Sequence, residues 1–106
     1  MAKFLIQASY TTEGLKGLMK DKASGRRAAV EAAAKSLGGS VESCYFTFGA
    51  DDVMVIIDVP DNATAAAMSL TAAASGAVRI RTTPLLTVDE VDKALGMKAT
   101  YRAPGA

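Results

Sequence analysis

Arg79 and Arg81 alternate along one short segment, and a strand there would turn both guanidiniums to the same face. Two planar guanidiniums can hold a carboxylate or a phosphate through paired, charge-assisted hydrogen bonds. Gln7, Ser9, Tyr45 and Asp58 lie on other alternating stretches and can complete a polar lining for a small organic or anionic ligand. Tyr45 adds a phenol able to move a proton. The plainer reading is that the arginines pair with Asp58 or Glu42, or stand in solvent on a strand edge, where charge discourages unwanted pairing.

Other candidate chemistry is sparser. Asp51 and Asp52 are adjacent carboxylates, but the ligand spacing of a calcium loop is missing, so they read as turn residues. Ser24-Gly25-Arg26-Arg27 offers an anion a helix start with two cations, against the simpler reading of solvated charge. Cys44 is the single cysteine and sits inside an apolar run, which favours a buried, unreactive thiol. Histidine is absent, which removes the commonest general base, the commonest transition-metal ligand and every Ser-His or Cys-His nucleophile. No metal site and no cofactor are expected. Met19, Met54 and Met68 are read as packing residues.

These residues need elements to position them. Lys3–Tyr10 alternates Phe4, Ile6 and Ala8 with Leu5, Gln7 and Ser9, the pattern of a strand with one apolar and one mixed face. Thr11 to Glu13 supplies a cap for a helix in which Leu15, Leu18 and Met19 fall at helical spacing. Residues 21–25 interrupt that helix, and a second segment from about Arg26 to Leu37 turns Val30, Ala33, Ala34 and Leu37 inward and pairs Glu31 with Lys35. Val41–Phe48 and Val53–Val59 read as a central hairpin about the turn Gly49-Ala50-Asp51-Asp52, with Phe48 opposite Val53. Asp61 or Asn62 caps a helix over Ala63–Ser75, Val78–Leu86 is a fourth strand whose Pro84 marks an edge, and Thr87 caps a last helix over Val88–Leu95.

The order strand-helix-strand-strand-helix-strand predicts an α+β, ferredoxin-like βαββαβ fold. It has a four-stranded antiparallel sheet, helices on one face and an extra C-terminal helix. Residues 1–95 form one domain and 96–106 an extended arm, with Tyr101 and Pro104 available to cross a partner subunit. The mixed face carries Leu5, Met54 and Ile56 and is expected to be covered. A second copy in a two-fold homodimer is the simplest cover.

Composition narrows the function classes. Twelve basic and eleven acidic residues nearly cancel, so the charge expected of a nucleic-acid binder is missing. The third strand, Val53-Met54-Val55-Ile56-Ile57, lacks the stacking aromatics of an RNA-binding sheet. No apolar run approaches the length of a membrane span and no charged-then-apolar leader opens the chain, so a cytoplasmic protein with neither membrane nor nucleic acid as partner is expected.

The run FTFGADDVMVIIDVPD, preceded by Gly38-Gly39 and followed by an alanine-rich helix ending Ser75-Gly76-Ala77-Val78, resembles the GYD domain family of small bacterial proteins. Gly49 and Asp52 match the glycine and aspartate of its Gly-Tyr-Asp signature, while Asp51 stands in place of the tyrosine. The resemblance spans Phe4 to Val88 and implies a likeness to dimeric α+β barrels, with no common activity attached. A homodimeric interaction or sensor module with a ligand at the sheet face is the expected function. A cofactor-free enzyme of the monooxygenase or isomerase kind is the alternative, and the missing histidine weighs against it.

Overall fold

The computed structural model describes all 106 residues and runs β1 (Ala2–Tyr10), α1 (Thr12–Ser36), β2 (Ser40–Phe46), β3 (Val53–Val59), α2 (Asn62–Ala74), β4 (Val78–Leu85) and α3 (Val88–Gly96). The strands form one antiparallel sheet in the order β2-β3-β1-β4, the ferredoxin-like arrangement with an added C-terminal helix. Alternation dictates the layers. Phe4, Ile6 and Ala8 of β1 and Val53, Val55, Ile57 and Val59 of β3 point to the face on which Ala34 of α1 and Ala65 and Met68 of α2 pack. Those ten residues are the buried core, and two of the three helical contributions are alanines, which lets the helices approach the sheet closely.

Each helix starts on a side-chain cap. Thr11 accepts from the Gly14 amide at 3.2 Å, Asp61 from the Thr64 amide at 2.9 Å, and Thr87 exchanges bonds with Glu90 in a capping box. The expected interruption in α1 is a kink at Lys22, whose φ of 65° and ψ of 167° are non-helical for a residue that is not glycine. The two ends of α1 therefore take different directions over the sheet.

Several sequence expectations need correction. β2 ends at Phe46, and Phe46, not Phe48, lies opposite Val53. Phe48 is fully exposed in the six-residue loop 47–52. The slip is two residues, so the faces keep their parity. Its cause is non-local: the Asp52 amide donates to Ala8 O at 2.8 Å, tying the loop to the end of β1. The hairpin is also at one side of the sheet, with β3 interior and β2 on the edge. A bulge between Val41 and Ser43 turns Glu42 towards Lys3 of β1. In α1 and its C-cap, Leu15 and Met19, and also Ala33 and Leu37 of the expected inner face, are exposed, and the buried positions are Gly14 and Ala34. Glu31 meets Arg27 at 3.6 Å instead of Lys35.

The C-terminal helix makes the molecule long. Its Cα radius of gyration is 16.9 Å, against about 13 Å for a compact domain of this length. Every residue of α3 is exposed, including Val88, Val91 and Leu95. Residues 97–106 carry no helix or strand. No helix is long and apolar enough to cross a membrane.

Candidate functional site

The face of the sheet away from α1 and α2 holds the candidates that alternation predicted. Cα pairing sets Gln7 beside Arg81 and Ser9 beside Arg79, so these four form a contiguous polar patch on β1 and β4. Tyr45 is opposite Met54, which is in turn opposite Gln7, so the phenol lies across β3 on the far edge strand and is exposed. Asp58 is opposite Lys3, four residues along β1 from Gln7, and at about 3.3 Å per residue it stands roughly 13 Å from the arginine patch. The set is therefore one cluster of four with two outliers.

The ion pairs differ from those anticipated. Arg81 bonds Asp51 Oδ2, and the Asp51 side chain is well shielded. Ser9 Oγ donates to Ala50 O at 3.1 Å and lies 3.5 Å from Asp51 Oδ1. Asp51 thus anchors the loop to β4 and β1. Asp58 and Glu42, the expected partners of the arginines, both take Lys3 instead, at 3.4 Å and 2.7 Å. The hydrogen bond to Glu42 raises the Lys3 ammonium above its ordinary range. Arg79 has no ion pair, and Oδ1 of Asp58 is buried without a hydrogen-bond partner.

Asp52 holds the loop against the end of β1 through both its side chain and its backbone. Its Oδ2 accepts from the Tyr10 amide at 2.8 Å, while its backbone bonds Ala8 O and the Thr47 amide, each at 2.8 Å. The carboxylate closes the end of β1 where no strand residue is left to do so. Asp52→Ala removes a charge-assisted bond to a half-buried amide and is expected to cost about 1.5–3 kcal/mol. Asp52→Asn, whose side-chain oxygen still accepts, should recover half or more of that, as read by urea denaturation.

The helical face holds a second feature, which sequence reasoning missed. α1 and α2 leave a cleft of about 490 Å³ between them, lined by Gly14, Gly17, Leu18, Ala33, Met68 and Ala72 among others. A recess of about 90 Å³ opens beneath it against Ile6, Cys44, Val55 and Ile80, and its charged lining is Arg26 and Arg27. Tyr10 lines both spaces. Burial pushes its phenol up, and the neighbouring Arg26 guanidinium pulls the other way. Burial also raises the Cys44 thiol, in keeping with an unreactive cysteine. The available signal was the lack of side chains at Gly14 and Gly17 on one helical face, which a search for chemistry-bearing residues passes over.

Among the side chains no group of three or more His, Cys, Asp or Glu is placed to hold a metal ion. No curated protein matches the chain. A family model described as GYD domain matches residues 4–95, nearly the whole folded chain. Its span takes in the 47–52 loop, where Asp51 bonds Arg81, and on that match the chain belongs to the GYD domain family.

Proposed function

We propose that the chain works as a homodimeric binding module, its two sheets packed face to face through the surface bearing Leu5, Met54 and Ile56, with a small organic or anionic ligand held beside Arg79. The observation that carries this reading is the composition of the open sheet face. Three aliphatic side chains occupy its centre and stay partly exposed in a single copy, flanked by Gln7, Ser9, Arg79 and Tyr45. A mixed apolar centre with a polar rim is the anatomy of a protein interface. The unpaired Arg79 retains its donors for an anion. The projecting α3 fits the same scheme, because a nine-residue helix has little stability in water without a surface to pack on.

Ile56→Lys tests the interface, since it places a cation at the centre of the proposed contact while leaving the helical face untouched. In analytical ultracentrifugation at micromolar concentration the parent should sediment as a dimer and the variant as a folded monomer with unchanged far-ultraviolet circular dichroism. A parent that is monomeric at that concentration would refute the reading.

A further inference from the structure

We propose that the cleft between α1 and α2 binds an amphipathic organic acid, its hydrocarbon part lying along the cleft and dipping into the recess against the sheet and its carboxylate at Arg26 and Arg27. This goes beyond the sheet-face reading, because the site lies on the opposite side of the sheet and is complete within one copy.

The space is the first support. A gap of about 490 Å³ is large for a chain with ten buried core residues, and lies in the range of small-molecule sites. Small residues hold it open. Gly14, Gly17, Ala29 and Ala33 of α1 face Thr71 and Ala72 of α2 and its capping residue Ser75 across it. An added Cβ at Gly17 would meet nothing within 4 Å, so that wall could carry a side chain without a clash.

Polarity selects the ligand class. Twelve of the fourteen residues lining the recess are hydrophobic, and the remaining two are Arg26 and Arg27. Their acidic neighbours are Asp21, 3.5 Å from Arg26, and Glu31, 3.6 Å from Arg27. Glu13 lies along the outer cleft. Both ion-pair distances exceed the roughly 2.7–2.9 Å of a charge-assisted hydrogen bond, so each guanidinium keeps donors for a carboxylate. The Tyr10 phenol, which burial keeps protonated against the pull of Arg26, adds another donor at the boundary of cleft and recess. A neutral hydrocarbon would leave these donors unused, and a small hydrophilic anion would leave the apolar recess unfilled.

The test is isothermal titration of the full chain with decanoate, with decan-1-ol and with acetate. Decanoate should bind saturably, and the other two at least about tenfold more weakly. Arg26→Gln with Arg27→Gln should weaken decanoate about tenfold or more while leaving decan-1-ol unchanged. Gly17→Leu, which fills the cleft from its wall, should abolish binding with a melting temperature equal to or above that of the parent. Arg79→Ala, on the other side of the sheet, should leave decanoate binding untouched, which separates this site from the one proposed there. The proposal is overturned if decanoate fails to bind, if decan-1-ol binds equally well, or if Gly17→Leu binds like the parent. It is also overturned if decanoate binds only once Leu95→Asp is introduced, since α3 of a second copy would then be the occupant.

Discussion

Gly14→Ala should be among the most damaging single substitutions in this chain, although it adds one methyl group to a helix. The new Cβ would collide with Ala77 O and stand 2.9 Å from the Ala77 carbonyl carbon and 3.0 Å from Cδ1 of Tyr10. Two of those atoms are backbone, so no rotamer change relieves the contact. The first turn of α1 is held in this position by the Thr11 amide, which donates to Ala77 O at 3.0 Å, and by the Thr11 hydroxyl, which donates to Gly76 O at 2.8 Å. Moving the helix away would break both bonds and leave a half-buried carbonyl short of a donor. The expected loss is about 3 kcal/mol, or roughly 12–24 °C in melting temperature for a domain of this size. Gly17→Ala is the control. It lies in the same helix, its Cβ meets nothing, and it should raise stability by about 0.5–1 kcal/mol by removing glycine's backbone entropy. Equal melting temperatures for the two variants would show that α1 does not approach Ala77 as described.

The contrast between these glycines marks what was legible in the sequence and what was not. The faces of the strands were legible because a period of two assigns a whole strand at once, and Arg79 and Arg81 fell together with Gln7 and Ser9 as the alternation required. The partner of Arg81 was not. It depends on where the loop at 47–52 settles, and that is decided by Asp52 reaching the Tyr10 amide 42 residues away in the chain. The Asp52 amide, bonded to Ala8 O, likewise ended β2 early and left Phe48 in solvent. The kink in α1 was legible in the run Asp21-Lys22-Ala23-Ser24-Gly25, whereas its buried positions were not, because Leu15, Met19 and Leu37 carry the hydrophobicity and Gly14 and Ala34 make the contact. Apolar periodicity counts side chains and is blind to a helix that docks through its backbone.

Ile57→Ala should match Gly14→Ala in effect through a different mechanism, and its comparison with Ile56→Ala tests the two faces of β3 against each other. Ile57 is fully buried on an interior strand, between Phe4 of β1 and Val41 of β2. Truncation there deletes three buried carbons and leaves a cavity that strands on both sides keep from collapsing, at an expected cost of about 3–4 kcal/mol. In a domain whose total stability is on the order of 5–15 kcal/mol, that is enough to populate unfolded chains at physiological temperature. The loss should be the same at every protein concentration once dimer coupling is allowed for, since the helical core is complete within one copy. Ile56 points to the opposite, open face and is partly exposed, so Ile56→Ala should cost a single copy about 1 kcal/mol or less. If the open face is the dimer interface, its remaining effect appears as a weaker dimer, whose melting temperature begins to rise with protein concentration only at higher concentrations than that of the parent. Denaturation of both variants over a hundredfold range of concentration separates the cases. A concentration-independent loss of equal size for Ile56→Ala and Ile57→Ala would contradict both the assignment of faces and the proposed dimer.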